Sequence, residues 1–389
     1  MVKDVQNVYL KKCDTYDVVQ LQQYFHEAFT QLLGDPGAIL TNKRIFLKVN
    51  TVGAFAPDAA ITTHPTFVQA MIRTLKTFSS DITVGDNPAT KDSTVALRKS
   101  EIYDIVLKEG ATVYSNKDTI FIYNKEGKHF NQFEVSASMM DCDILINLPK
   151  LKTHALTYMT CAQKNLFGII PGLSKAKWHV KASSPAAFGE MINDLYQAIL
   201  NHFQDKKIIH FCDGILGLEG EGPSTGGSPK QANAILASTD AVSLDYIAGK
   251  VIKADLNKLF ISQIATKRKL GPEVKDIQIL GDNLDTFSNI QFAMPKNTEG
   301  IPALKLLKIK GIRNILLEHP KINTDICIQC GECAKICASG PMTIKKGSYP
   351  TLQSNACIRC WCCQEVCPVN AITKTKRPLI GRLFFKTND

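Results

Sequence analysis

Ile144-Leu-Ile-Asn-Leu-Pro-Lys-Leu-Lys-Thr-His154 is a short apolar run that gives way, at Pro149, to a polar segment with a basic residue at every second position. The first part reads as a buried strand, and the second as the chemistry that hangs from its end. Outward from it, the same kind of run recurs at Arg44–Asn50, Ile82–Asp86, Ile208–Cys212 and Ile277–Gly281. Longer amphipathic stretches separate them: Pro65–Phe78, Ser93–Lys108, Ser184–Phe203 and Asp240–Ile252. Strands alternating with helices predict an α/β core with a largely parallel sheet.

In such sheets ligands gather where strands end and helices begin. Polar residues cluster there in this chain: Lys48 and Asn50, Thr63-His64-Pro65, Gly85-Asp86-Asn87-Pro88, Lys150 to His154, Lys164-Asn165, Asp213-Gly214, and Glu219 to Pro223. Side chains alternate along an extended segment, so Lys150, Lys152 and His154 share a face. Two ammonium groups and an imidazole suit a carboxylate or phosphate, and Lys48, His64 and Lys164 extend the same pocket. Lys152, His154 and Asp213 are the candidate catalytic residues. Lys48, Asn50, His64, Asp86, Lys150, Lys164, Asn165 and Glu219 are the candidate substrate-binding set. The carboxylates Asp86, Asp213, Glu219 and Glu221 suit a divalent metal in the core as well as acid–base work. The glycines at 214, 217, 220, 222, 226 and 227 read as turns. No Walker or dinucleotide fingerprint is present, which disfavours ATP hydrolysis and NAD-dependent hydride transfer. Cys142, Cys161 and Cys212 read as packed thiols.

Beyond the core, eight cysteines form two copies of C-x2-C-x2-C-x3-C: Cys327, Cys330, Cys333, Cys337, then Cys357, Cys360, Cys363, Cys367. Three thiolates from one tight run grip three corners of a 4Fe-4S cube, and the fourth comes from the other copy. The expected sets are Cys327, Cys330, Cys333 with Cys367, and Cys357, Cys360, Cys363 with Cys337. This pattern is similar to that of bacterial two-cluster ferredoxins. Structural zinc takes separated pairs instead, and disulfide frameworks belong to small secreted domains. The opening MVKDVQNVYL lacks a signal-peptide core, and thiolate clusters need a reducing setting, so the expected location is cytoplasmic. Cys362, beside Cys363, is read as a neighbour of the cluster.

The chain has 389 residues, 44% hydrophobic and 21% charged, and no apolar run long enough for a membrane span. Its formal net charge is +10, but each oxidised four-thiolate cluster adds about −2, so the loaded protein is mildly basic. No dense Lys/Arg stripe with interleaved aromatics appears, which excludes a nucleic-acid partner. The expected division is an α/β core over residues 1–300, a basic linker over 301–323 containing the amphipathic piece Leu304–Leu317, and a small α+β ferredoxin-like domain over 324–389.

Read together, the core motifs resemble the domain-of-unknown-function 362 family, which often carries a ferredoxin-type module. The matching residues are Lys48 and Asn50, Thr63-His-Pro, Gly85-Asp-Asn-Pro, Asn147 to His154, Lys164-Asn-Leu-Phe-Gly, Pro171-Gly, Asp213-Gly-Ile, Glu219 to Pro223 and Leu244-Asp. The resemblance implies a shared fold and site over about residues 44 to 282, and supplies no substrate. The first function expected is an oxidoreductase whose two 4Fe-4S clusters, fed by a donor such as a ferredoxin or flavodoxin, pass electrons to an anionic small molecule in the core. The alternatives are an electron carrier or redox-partner subunit, and a cofactor or cluster maturation factor.

Overall fold

The computed structural model describes residues 5–88, 93–115, 118–172, 174–182, 184–295, 314–337 and 339–380; most of the basic linker, residues 301–313, lies outside these. Its core strands are β1 (Gln6–Lys12), β2 (Ile45–Lys48), β3 (Ile82–Gly85), β4 (Thr112–Val113), β5 (Thr119–Tyr123), β6 (Gln132–Ser136), β7 (Ile144–Asn147), β8 (Lys150–His154), β9 (Tyr158–Thr160), β10 (Lys207–Gly220), β11 (Gly227–Ser238) and β12 (Ile277–Gly281). Ten of them form one sheet with the order β12-β1-β11-β10-β7-β2-β3-β4, to which β8 adds by pairing with β10 and β9 by pairing with β8. Strands β10, β7, β2, β3 and β4 run parallel, and all five runs expected as strands are in place. Strand β11 is antiparallel to both neighbours, β10 and β1.

Alternation sorts the strand side chains. Ile45, Leu47, Ile144, Ile146, Ile209 and Phe211 pack against one helical layer, which contains Phe25 and Phe29 of helix Val18–Leu33 and Phe67 of helix Pro65–Leu75. Phe46, Leu145, Ile208 and Cys212 face the other layer, which includes helices Pro185–His202 and Ala241–Val251. Each fully buried side chain of this size contributes about 1.5–3 kcal/mol, so two such layers hold the sheet firmly. The same alternation points Lys48, Asn147 and His210 to the second face, in one row, because they are register partners across β2, β7 and β10.

Two expectations need correction. The stretch Ser93–Lys108 is two helices, Ser93–Lys99 and Ile102–Lys108, broken where Glu101 takes a left-handed φ of 61°. The glycines at 214, 217 and 220 lie in β10, and Gly227 begins β11; of those read as turns, only Gly222 and Gly226 lie between the strands. At Gly214 a Cβ would meet the Ala234 carbonyl oxygen at 2.8 Å, and at Gly217 the Leu151 carbonyl oxygen at 2.9 Å, so strand packing requires them.

The cysteine-rich part repeats itself. Strand β13 (Pro320–Ile322) pairs with β16 (Ile372–Lys374), and β14 (Met342–Thr343) pairs with β15 (Thr351–Leu352). Each cysteine run carries a one-turn helix, Glu332–Lys335 and Cys362–Glu365. Lys374 Nζ meets Glu221 Oε2 at 2.5 Å, and Thr225 Oγ1 donates to Asn370 Oδ1 at 3.1 Å. Ala176 of the core packs in one apolar group with Ile336, Cys362 and Val366.

Candidate functional site

From β2 the chain adds β3 and β4 on one side, then β7 and β10 on the other, so the sheet reverses its winding between β2 and β7. The carboxyl ends of those strands open onto a crevice, as at other topological switch points. A cleft enclosing about 680 Å³ of open space lies there. Its core wall includes Asn50, Thr51, Asp86, Lys152, His154, Lys164, Asn165, Lys175 and His179, and its far wall is Ile336, Cys362, Glu365 and Val366 from the cysteine-rich part.

The floor is a closed polar network. Lys48 Nζ donates to Asp86 Oδ1 at 2.9 Å and to Asn165 Oδ1 at 3.3 Å; Thr51 N donates to Asp86 Oδ2 at 2.7 Å. Asn165 Nδ2 donates to Asn147 Oδ1 at 2.8 Å, and Asn147 Nδ2 meets His210 Nδ1 at 3.0 Å. Burial pulls the Lys48 ammonium below its usual range, against the opposing effect of Asp86. A Cβ on Gly168 would stand 2.4 Å from Lys48 Nζ and 2.5 Å from Asp86 Oδ1, so this glycine lets the backbone close over the ion pair.

Above the floor the donors outnumber their acceptors. Lys152 Nζ donates to Asn50 Oδ1 at 2.6 Å and to the Ile61 carbonyl at 2.7 Å; burial, then Lys164 and Lys150, push its pKa down to about 7. Lys175, which reaches the Asn87 carbonyl, is pushed down to about 8 by burial. Lys164 Nζ lies over the rings of Phe167 and Phe188, at 5.3 and 5.5 Å from their centroids, and meets no acceptor among the described residues. His154 Nδ1 accepts from Leu156 N at 3.0 Å, which puts the ring proton on Nε2. Among the described residues that Nε2 is buried without a hydrogen-bond partner, 3.6 Å from Glu365 Oε1. Burial holds His154 well below its ordinary value and His179, stacked 4.6 Å from Phe188, down to about 3, so both imidazoles are neutral. Burial raises Glu365 above the usual carboxylate range.

Other candidates named from sequence are engaged elsewhere. Lys150 Nζ donates to Asp213 Oδ2 at 2.8 Å and to Tyr16 Oη at 2.9 Å, and Tyr16 Oη donates to Asp213 Oδ1 at 2.8 Å. His64 stacks on Tyr16 at 3.6 Å, and its Nδ1 accepts from Thr66 N at 3.2 Å, capping the helix that Pro65 begins. Glu219 accepts from Ala293 N at 2.7 Å. Lys150, His64, Asp213 and Glu219 therefore do not line the cleft. Among the described residues no three His, Cys, Asp or Glu side chains converge on a single-ion site, and the divalent metal expected in the core finds no support.

Sequence reasoning missed Glu365 and Lys175 as cleft residues. Lys175 and His179 lie four apart on helix Ser174–Lys181, a spacing that puts them on one face. Nothing in the C-x2-C-x3-C spacing shows that Glu365 turns toward the core. The L-D motif ends in Asp245, whose carboxylate accepts from Ala162 N at 2.6 Å and Gln163 N at 3.2 Å. It thereby anchors the first turn of the short helix that presents Lys164 and Asn165. Cys161 and Cys212 are buried thiols in mutual contact at 3.4 Å.

The cysteine runs have the form that a 4Fe-4S cube needs. Cys327, Cys330, Cys333 and Cys367 line one small cavity, so a cysteine from the second run stands with three from the first. Gln329 and Gly331 in one loop, and Arg359 and Trp361 in the other, take left-handed φ values of 58°, 77°, 59° and 62°. These kinks flank Cys330 and Cys360 at matching positions in the two loops. Backbone N–H groups point at sulfur, Ala371 N to Cys367 Sγ at 3.1 Å and Met342 N to Cys337 Sγ at 3.4 Å, a contact that stabilises thiolate charge. All-thiolate donors with these loops fit the cluster.

Comparison with known proteins agrees with these features. The family described as "Domain of unknown function (DUF362)" matches residues 45–250, and the "4Fe-4S binding domain" matches residues 350–373. A thylakoid-associated protein of Synechocystis sp. is 30% identical over 276 residues, 69% of this chain and 80% of that protein. Among solved structures, the lactate racemase apoprotein of Thermoanaerobacterium thermosaccharolyticum is similar with a TM-score of 0.41 at 10% identity, covering 64% of this chain and 57% of that one. A Thermotoga maritima protein is similar with a TM-score of 0.35 at 10% identity, covering 70% of this chain and 62% of that one. An iron–sulfur, electron-carrying module thus accompanies the α/β core, and the chain belongs to the domain-of-unknown-function 362 family.

Proposed function

We propose that this chain is a redox protein that passes electrons from two 4Fe-4S clusters to an anionic small molecule held in the cleft. The clusters would rest on Cys327, Cys330, Cys333 and Cys367, and on Cys357, Cys360, Cys363 and Cys337. The observation that carries the reading is the shared wall: Cys362, Glu365 and Val366, interleaved with the second run of cysteines, face Lys152, His154 and Lys164 across one cavity. When bound, the clusters supply single electrons. The residues of the chain do the binding. Lys152 and Lys164 attract the anion, His154 Nε2–H offers it a directed donor, and Ala176, Ile336 and Val366 keep water from that end of the cavity. Lys48, Asp86 and Asn165 hold the floor rigid beneath it.

In this reading residues 1–300 form the substrate-binding unit and 324–389 the electron-supplying unit, served by a donor of ferredoxin or flavodoxin type. Cytoplasmic residence suits thiolate clusters; among the described residues no helix is long and apolar enough to cross a membrane. The test is stopped-flow reoxidation of the anaerobically reduced protein by a panel of anionic metabolites. One class should reoxidise it faster than unrelated anions do. Uniform rates across anions that bind the cleft would refute the proposal and leave a carrier role.

A further inference from the structure

The charged side chains around the cleft do not balance. Four ammonium groups, Lys48, Lys152, Lys164 and Lys175, stand against two carboxylates, Asp86 and Glu365. Lys48 and Asp86 pair at 2.9 Å, which leaves Lys152, Lys164 and Lys175 facing the single further carboxylate Glu365, a surplus of basic side chains. The imidazoles add none, because burial keeps His154 and His179 neutral. Two features direct the surplus toward a ligand. Among the described residues His154 Nε2 is a buried donor with no hydrogen-bond partner, and Lys164 Nζ lies over aromatic ring faces without a hydrogen-bond acceptor. A buried donor left unmatched is costly, so the site is complete only when an acceptor oxygen arrives.

We infer that the ligand of the cleft is a compact dianion, with oxygens accepting from His154 Nε2, Lys152 and Lys164, and that Glu365 is the internal counter-ion it competes with. Compactness follows from these donors lining a single cleft. The role of Glu365 follows from its place: it is one of the two carboxylates in the lining, lies 3.6 Å from the orphaned donor and ends the one-turn helix Cys362–Glu365, between Cys363 and Cys367. Ligand entry therefore acts on the cluster-bearing loop directly. This inference rests on the cleft being the anion site proposed above.

The test is calorimetric titration of the loaded full chain, kept oxidised and anaerobic, with sulfate as the dianion and formate as the monoanion. Sulfate should bind at least about tenfold tighter, the worth of one further charge-assisted contact. Lys164→Met should weaken sulfate by about tenfold or more with little change in formate. It should keep the fold, since Lys164 Nζ satisfies no acceptor among the described residues. Glu365→Gln should tighten sulfate, because a competing negative charge is removed. Equal affinities for sulfate and formate would overturn the dianion assignment while leaving the electron-transfer reading intact. Weaker sulfate binding by the Glu365→Gln variant would overturn the counter-ion role. Tight sulfate binding with no reoxidation by any dianion would instead remove the electron-transfer reading and leave this inference standing.

Discussion

Lys152 links the cleft to pH. Its ammonium is held down near 7 by burial, against about 10.5 in an unfolded chain. Between those values the unfolded chain binds the extra proton, so this residue's penalty on stability is full below about pH 7 and fades as pH rises toward 10.5. Anion binding has the opposite sign, because an anion favours the charged form. Sulfate affinity should hold below pH 7 and fall by up to about tenfold per pH unit above it, with Lys175 adding a second decline above about 8. Calorimetry from pH 6 to 9 checks this, and Lys152→Met should flatten the first decline. A profile that Lys152→Met leaves unaltered would remove Lys152 from the site. Lys48 behaves differently, because its partner is permanent. Asp86→Ala leaves a buried ammonium uncompensated and should cost about 3–5 kcal/mol in denaturant unfolding, whereas Lys48→Met together with Asp86→Leu should recover much of the loss.

At the scale of elements, the strand ends were legible because apolar runs of four or five residues stop abruptly at polar ones. Residues Lys48, Asn50, Asp86, Lys152, His154, Lys164 and Asn165 reach one site for that reason. What alternation could not separate was Lys150 from Lys152. Both lie on β8, but Lys150 pairs in register with Asp213, whose carboxylate takes its ammonium, whereas Lys152 pairs with Leu218 and donates to Asn50 and the Ile61 carbonyl. A register spanning sixty residues of chain has no local signature. The glycines of β10 misled for a related reason: glycine marks both turns and close backbone approach, and only the packed neighbour decides. Gly168 shows the second use within the K-N-L-F-G motif. Gly168→Ala should destabilise the protein by about 1–3 kcal/mol through overpacking against Lys48 and Asp86. It should also weaken sulfate binding by displacing the helical turn that carries Lys164. Unchanged thermal stability would show that the ion pair moves freely, contrary to its burial.

For the whole molecule the question is whether the repeated cysteine loops serve the core. Two kinked loops and eight thiols call for about eight irons and eight acid-labile sulfides per chain; about four would mean a single cluster. The two sites are not equivalent. Cys330 is exposed and Cys327 partly so, whereas Cys357 and Cys363 are buried on the side whose helix Cys362–Glu365 closes the cleft. Electrons bound for the cleft should therefore leave from the site held by Cys357, Cys360 and Cys363. If the fourth ligand of that site is Cys337, the crossing has a testable consequence. Cys337→Ser, although it lies in the first run, should perturb the electron paramagnetic resonance signal of the cluster nearer the cleft and slow reoxidation by the bound dianion. Cys367→Ser, in the second run, should perturb the outer one. Sulfate affinity should stay within about threefold of the parent in both variants, since neither thiol lines the cleft and the proposed anion contacts are to the core cations. Assignment of each mutated signal by its relaxation on ligand addition separates the alternatives. Perturbation confined to the run that carries each mutation would mean uncrossed ligation, and parental reoxidation rates without the inner cluster would mean that the clusters do not feed the cleft.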